Sequence, residues 1–229
     1  TTLTIPVTVK PRPTATATVN ATTFCSGDNV VINISSNISG STYTWSGSNG
    51  TSGTGNVISD NPVNSGTSSI IVTYSIVGTS NGCSGDTLQV PVTVKPKPVL
   101  TVTPSTQTVC SGTAISIDIA STVSGTTVNW FGSNGNSGNS FTINDSLVNI
   151  GTSNLTVTYT INGSFNGCAA NTVFSTVVVR PRVVADAGQD KSATSCSGSC
   201  VQIGGSPTGS GGTGSLTYNW TPVTGLSST

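Results

Sequence analysis

The chain has 229 residues and no net charge, and only 6% of its residues are charged. In an average soluble domain about a quarter of the residues are charged, so this composition differs from that of a typical cytosolic enzyme. The seven Lys and Arg residues are scattered, which argues against a nucleic-acid-binding protein. No apolar run approaches the ~20 residues of a membrane-spanning helix, so we expect no membrane insertion.

A repeated segment sets the boundaries of the chain's parts. VTVKPRP at 7–13 recurs as VTVKPKP at 92–98 and as VVVRPR at 177–182. The β-branched run predicts a strand, and the prolines after it predict an extended connector. Four pairs of marker residues share one constant spacing, which predicts a tandem repeat. They are Cys25 with Cys110, Trp45 with Trp130, Tyr74 with Tyr159, and Cys83 with Cys168.

In chain order, residues 1–13 are predicted to be the last strand of a preceding repeat plus its linker. Residues 14–98 form repeat 1, residues 99–182 form repeat 2, and residues 183–229 form an incomplete variant, repeat 3. Because the chain has no Met and begins inside a predicted strand, we expect it to be part of a longer polypeptide.

Each repeat is predicted to consist of short strands separated by polar turns. In repeat 1 the predicted strands cover 14–20, 30–35, 41–47, 56–63, 69–78 and 87–94, with turns at 24–29 and 79–86. This spacing, without helical periodicity, is typical of a β-sandwich of about seven strands. We therefore predict an all-β fold of tandem sandwiches in an elongated array. Trp45, Trp130 and Trp220 are predicted to be core anchors.

Several segments resemble a known family. CSGDNVVINI at 25–34, TYTWSG at 42–47, VTYSIVGTSNGCSGDTLQVPVTV at 72–94 and YNWTPVTGLSS at 218–228 are similar to PKD-like and Ig-like repeats of giant bacterial surface proteins. The resemblance implies a long extracellular adhesin of the gliding-motility type, exported by type IX secretion. The Trp strands read WSGSNG and WFGSNG rather than an acidic WDFGDG, so the resemblance implies no metal site there.

The six cysteines suggest an oxidising, extracellular setting. Cys25 and Cys83 have the same separation as Cys110 and Cys168, so one disulfide within each repeat is the simplest pairing. In an Ig-type topology, however, Cys25 faces Cys168 across the linker, and the bond then joins neighbouring repeats. We favour the pairing within repeats and keep the second as the alternative. The remaining two cysteines, Cys196 and Cys200, are predicted to close a small local loop, and a zinc site is not expected.

Catalysis is not expected, because the chain has no His and no Glu and its seven Asp residues lie mostly at predicted turns. We therefore predict a non-enzyme without a cofactor. Asp186 and Asp190 are the one candidate pair for Ca²⁺.

Two short motifs resemble an O-glycosylation signal of secreted bacterial proteins. Asp86-Thr87-Leu88 and Asp145-Ser146-Leu147 match its Asp-Ser/Thr-apolar pattern, which makes Thr87 and Ser146 candidate glycosylation sites.

Together these features predict a non-catalytic stalk of a secreted adhesin on the cell surface, which spaces a distal binding region from the cell. The expected partners are neighbouring repeats of the same chain, a surface polysaccharide, or export and attachment machinery. One alternative is glycan binding by the polar loops at 48–55 and 134–140, with Phe131 as an aromatic platform. The others are an accessory region of a secreted enzyme and a subunit of an extracellular filament.

Overall fold

A computed structural model describes residues 3–192, 201–221, 223–224 and 226. Every regular element in this part of the chain is a β-strand, and no helix long and apolar enough to cross a membrane was found in it. The chain divides into two compact units. Unit 1 comprises residues 1–99, 121–127 and 163–171, and unit 2 comprises residues 100–120, 128–162 and 172–229.

Repeat 1 contains nine strands in two sheets. They are β1 (Ala15–Val19), β2 (Thr23–Cys25), β3 (Val30–Ser36), β4 (Thr42–Gly47), β5 (Ser52–Thr54), β6 (Val57–Asp60), β7 (Ile70–Ser80), β8 (Cys83–Ser84) and β9 (Leu88–Lys95). The smaller sheet has the order β1-β3-β6, and the larger has the order β2-β9-β7-β4-β5, with β8 paired to β7. All pairs are antiparallel except β2 with β9, which run parallel.

The core of repeat 1 lies between its two sheets. Strand β7 buries every second residue from Val72 onward, and β9 does the same from Val90 onward, as expected for strands with one covered face. Ile32 and Ile58 come from the smaller sheet, and Tyr74 and Val92 from the larger one; all four are almost completely buried in one cluster. A β-sandwich is therefore confirmed for this repeat.

Repeat 2 reproduces this plan. Its strands are β10 (Leu100–Thr103), β11 (Thr106–Cys110), β12 (Ala114–Ser121), β13 (Thr127–Gly132), β14 (Ser137–Gly138), β15 (Thr142–Ser146), β16 (Leu155–Phe165), β17 (Cys168–Ala169) and β18 (Val173–Arg180). The sheets have the orders β10-β12-β15 and β11-β18-β16-β13-β14, with β17 paired to β16. Strands β11 and β18 run parallel, as β2 and β9 do.

The predicted strand in residues 1–13 is not found in its described part, residues 3–13. The equivalent strand of repeat 1, β9, is hydrogen-bonded to β2 on one side and to β7 on the other. No described strand pairs with residues 3–13, so the ladder bonds that define a strand are not formed. Accordingly, the apolar side chains of Leu3 and Val9 are exposed.

The segment at 24–29 was predicted to be a turn, but its first two residues belong to β2. This three-residue strand is stabilised by parallel pairing to β9, a contact distant in sequence that local propensity does not reveal. In repeat 3 the described residues contain one pair of short strands, β19 (Val184–Ala185) and β20 (Gly209–Ser210).

Candidate functional site

Four residues of unit 1 form an arrangement that we call the clamp: Cys25, Lys95, Asn166 and Cys168. Cys25 ends β2 and Lys95 ends β9, and the parallel register places these two residues side by side. Cys25 forms a disulfide with Cys168, with Cα atoms 5.5 Å apart. Lys95 Nζ donates a hydrogen bond of 3.0 Å to the backbone carbonyl of Asn166. The clamp thus combines one covalent bond and one charge-assisted hydrogen bond.

Local turn structure positions both cysteines of the clamp. On one side, Asp28 Oδ2 accepts a hydrogen bond of 3.0 Å from the Cys25 backbone nitrogen, which fixes the turn after β2. On the other side, the hairpin between β16 and β17 turns through Asn166 and Gly167, with φ values of 47° and 86°. Asn and Gly are the residues that adopt this left-handed conformation most readily. Cys168 follows directly and is completely buried.

The disulfide joins residues that are 143 positions apart, so the pairing predicted within each repeat is wrong for Cys25 and Cys168. The alternative pairing, between neighbouring repeats of the sequence, is the one observed. Strand geometry explains why: Cys25 lies beside Lys95 at the end of β9, whereas Cys83 precedes the start of that strand. A strand of the length of β9 covers roughly 23 Å, and a disulfide requires Cα atoms less than about 7 Å apart.

The other cysteines have different positions. Cys83 is a half-buried free thiol and Cys110 is an exposed one. Cys196 and Cys200 lie outside the described residues, so their predicted local loop stays a prediction.

The lysine contact of the clamp occurs a second time in unit 1. Lys10 Nζ donates a hydrogen bond of 3.1 Å to the backbone carbonyl of Asn81, and each of these residues precedes its clamp counterpart by one repeat period. Nearby, Arg12 donates to the Ser84 carbonyl at 3.0 Å and forms an ion pair with Asp86 at 2.8 Å. Both members of the ion pair are exposed, so it contributes little stability. The linker residues are nevertheless placed against the hairpin through several contacts.

A carboxylate joins the two sheets within repeat 1. Asp60 Oδ2 accepts hydrogen bonds from the Tyr74 hydroxyl at 2.7 Å, from Asn49 Nδ2 at 2.7 Å and from Thr51 Oγ1 at 3.1 Å. Asp60 belongs to the smaller sheet and Tyr74 to the larger one. The network therefore holds both sheets and the loop after β4 in one arrangement.

Repeat 2 contains the same network around Asp145. Its Oδ2 accepts hydrogen bonds from the Tyr159 hydroxyl at 2.5 Å, from Asn136 Nδ2 at 2.8 Å and from Asn134 Nδ2 at 2.9 Å. The side chains of the loops at 48–55 and 134–140 are thus partly committed to internal bonds. This leaves fewer polar groups for the glycan binding considered for these loops.

The titration behaviour of the network agrees with a structural role. Partial burial raises the pKa of Asp60, but hydrogen bonds from Tyr74, Asn49 and Thr51 outweigh it, so the pKa lies below its ordinary value. The pKa of Tyr74 is raised, first by burial and then by its hydrogen bond to Asp60 and the charge of that group. At neutral pH the carboxylate is therefore an ionised acceptor and the phenol a neutral donor. Neither group titrates where a general acid or base would be useful.

The two tryptophans of the repeats pack against the tyrosines of these networks. The ring centroids of Trp45 and Tyr74 are 6.5 Å apart in an edge-to-face arrangement, and those of Trp130 and Tyr159 are 6.1 Å apart. Trp130 is 9% exposed, and Trp45 is half-buried against the core. The indole N–H groups of both are buried without a hydrogen-bond partner among the described residues. Trp220 is half-buried in repeat 3.

The remaining candidate residues are exposed. Thr87 lies in the loop before β9, and Ser146 ends β15. In repeat 3, Asp186 Oδ1 accepts a hydrogen bond of 2.8 Å from the Gly188 backbone nitrogen. Within the described residues, no group of three or more His, Cys, Asp or Glu side chains is arranged to hold a metal ion. Ca²⁺ binding by Asp186 and Asp190 therefore stays a prediction.

Sequence reasoning missed the roles of several polar residues, although the signal was available. Asp60 and Asp145 keep the spacing of the repeat, and so do Asn64 and Asn149. Both asparagines are buried, and the side chain of Asn64 donates hydrogen bonds of 2.8 Å to the backbone carbonyls of Ser68 and Val94. Applying the repeat period to polar residues would have identified both pairs.

Two PKD-like domain matches cover residues 22–98 and 107–183, about two thirds of the chain. The chain therefore belongs to the PKD-like domain family. No curated protein matches it. Structural disulfides form and persist in oxidising environments, so the Cys25–Cys168 bond suggests an extracellular protein.

Solved structures also show similarity to the chain. The three N-terminal domains of the bacteriophage RB49 Highly Immunogenic Outer Capsid protein (Hoc) are 13% identical to it, with a TM-score of 0.31, and 76% of this chain and 63% of that chain are covered. The four N-terminal Ig domains of Dscam1 isoform 6.44 are 13% identical, with a TM-score of 0.32 and coverages of 75% and 47%. The chain thus spans less than two thirds of the length of these structures.

Proposed function

We propose that this chain is a non-catalytic part of the stalk of a secreted cell-surface adhesin, where it spaces a distal binding region from the cell. The observation that carries this proposal is the clamp. A disulfide between residues 143 positions apart transmits force from the first repeat to the second without loading the strands between them. Such a connection suits a tether that is exposed to proteases and to mechanical load.

The repeated lysine contact supports the same role. Lys10 and Lys95 each anchor the end of a connector to a hairpin, through Asn81 and Asn166. In repeat arrays, stability is approximately the sum of repeat and neighbour terms, so each such contact adds to the neighbour term. The ionised Asp60 and Asp145 networks stabilise each repeat internally and offer no proton-transfer chemistry at neutral pH.

The test is made on intact cells that produce the native polypeptide. Cells are treated with an external protease, and the apparent mass of the polypeptide is followed with antibodies raised against residues 14–182. A large cell-bound species that is degraded without lysis supports the stalk. A modest-sized species free in the medium would overturn it and favour an accessory region of a secreted enzyme.

A second candidate function, glycan binding, is favoured by one feature of repeat 2. Phe131 and Phe174 are 51% and 56% exposed, and Phe174 lies opposite Thr160 in the pairing of β16 with β18. At the equivalent positions repeat 1 has Ser46 and Gln89. An exposed aromatic ring offers a flat apolar face that a sugar ring could cover.

The glycan hypothesis is tested by titrating the full chain on a glycan array. Saturable binding that is lost in Phe131→Ala and in Phe174→Ala, and kept in Ser46→Ala, would support it. Equal glycan binding by all variants would refute a role for Phe131 and Phe174.

A further inference from the structure

We infer that Cys83 and Cys110 each form a disulfide of the Cys25–Cys168 kind with a cysteine of a further neighbouring repeat. Cys110 is the partner of a hairpin cysteine in a following repeat of the same kind, and Cys83 is the partner of a β2-type cysteine in a preceding one. The disulfide of the clamp then recurs at every junction of an array. This inference goes beyond the stalk proposal, because it holds for any array of these repeats whatever its end binds.

The surroundings of Cys110 match those of Cys25. Cys110 ends β11, and the parallel register places it beside Arg180, just as Cys25 lies beside Lys95. The following residue, Ser111, donates its backbone N–H to the Arg180 carbonyl at 3.1 Å, and its counterpart in repeat 1 makes the same bond at 2.9 Å. A basic residue therefore accompanies the cysteine at both positions, and the Cys110 thiol is exposed.

The surroundings of Cys83 match those of Cys168. Both follow an Asn-Gly hairpin tip in the left-handed conformation, with φ values of 49° and 81° at Asn81 and Gly82. The backbone carbonyl of Asn81 accepts a hydrogen bond from Lys10, as that of Asn166 does from Lys95. The lysine half of a clamp is therefore formed at the Cys83 hairpin, and only the sulfur partner is lacking. By the register of the first clamp, that partner is the residue that pairs beside Lys10.

Formation of each new bond is an oxidation of two thiols. Each cysteine loses a proton, the two sulfur atoms join, and two electrons pass to an oxidant. A small-molecule disulfide such as oxidised glutathione serves as this oxidant and leaves as two thiols, through a mixed disulfide on one cysteine.

The first test lengthens the chain by one period. A second copy of residues 98–182 is inserted after residue 182, which adds one Cys110 and one Cys168 equivalent. The proteins are refolded with reduced and oxidised glutathione, and their free thiols are counted from the mass added by a maleimide in denaturant. We expect the number of free thiols to equal that of the original chain. The added Cys168 equivalent forms a disulfide with Cys110, and the added Cys110 equivalent remains as a free thiol in its place. A rise of two thiols would overturn the inference.

A matched substitution identifies which cysteine forms the bond. In the lengthened chain, Cys110→Ser is expected to raise the thiol count by one, because the added hairpin cysteine loses its partner. A fall of one thiol would show that Cys110 was free and would refute the inference. In the same chain Cys83→Ser is expected to lower the count by one, which makes it the control for a thiol outside the new bond.

A second duplication keeps the inference testable if the first chain does not fold. A copy of residues 14–98 is inserted after residue 98, which places an added hairpin cysteine after the original Cys25. An unchanged thiol count is again expected, and a rise of two is again the refuting result. Folding of either chain is checked independently, by the circular-dichroism spectrum and a cooperative thermal transition.

Discussion

Breaking the Cys25–Cys168 bond is expected to lengthen the extensible part of the chain under force by roughly 500 Å, because each fully extended residue spans about 3.3–3.6 Å. The two bonded cysteines are 143 positions apart in the sequence, while their Cα atoms are only 5.5 Å apart. While the disulfide is intact, the segment between Cys25 and Cys168 therefore cannot be extended by force. A chain pulled from both ends can gain the contour length of this segment only when the disulfide is absent.

Single-molecule force spectroscopy of the chain, tethered at both ends, measures this length. Total contour length gained on unfolding is compared between the oxidised protein, the reduced protein and Cys168→Ser, which should behave like the reduced form. The matched controls Cys83→Ser and Cys110→Ser should leave the oxidised value unchanged. If Cys168→Ser frees only about 200 Å, the extended length of the segment from Cys110 to Cys168, then Cys168 is bonded within its own repeat and the clamp is wrong.

Three further predictions concern stability. Tyr74→Phe should lower the free energy of unfolding by about 1.5–3 kcal/mol, because a hydrogen bond to the charged Asp60 is lost. Stability measured by urea denaturation should fall as pH drops below about 4. The pKa of Asp60 is lower in the folded than in the unfolded protein, so its ionised form stabilises the fold at pH values above the unfolded pKa. This stabilisation is lost as the pH falls through the folded pKa. Gly53→Ala should cost about 1–3 kcal/mol, because a Cβ there would lie 2.7 Å from the Trp45 ring.

Each of these predictions has a control and a contradicting outcome. Tyr43→Phe controls the first, because its hydroxyl has no side-chain hydrogen bond among the described residues, and equal losses in both variants would contradict the network. Asp60→Asn should weaken the acid dependence, and an unchanged dependence would contradict the pKa argument. Gly214→Ala, where an added Cβ has no described neighbour within 4 Å, should be nearly neutral. A Gly53→Ala protein as stable as this control would contradict the close packing on the indole.

The sequence allowed the all-β class and the tandem organisation to be predicted, because β-branched alternation and a fixed period act locally along the chain. Strands such as β7 alternate between buried and less buried residues, as predicted from VTYSIV at 72–77. The family resemblance at the repeat level was also correct, as the two PKD-like matches show.

The parts that could not be predicted depend on contacts distant in sequence. Strand β2 is very short and is defined by its pairing with β9. The choice between Cys83 and Cys168 as the partner of Cys25 depends on which end of the sandwich each occupies, and the equal cysteine spacing in the two repeats suggested the wrong pair. The role of Asp60 depends on the meeting of two sheets and a loop, which no single segment encodes.

Disulfide mapping of the unreduced chain tests the clamp most directly. Free thiols are blocked, the protein is digested without reduction, and linked peptides are identified by mass spectrometry. We expect a peptide pair that joins Cys25 to Cys168, with Cys83 and Cys110 recovered in blocked form. A pair that joins Cys25 to Cys83, or Cys110 to Cys168, would contradict the connection between repeats on which the proposed stalk is based.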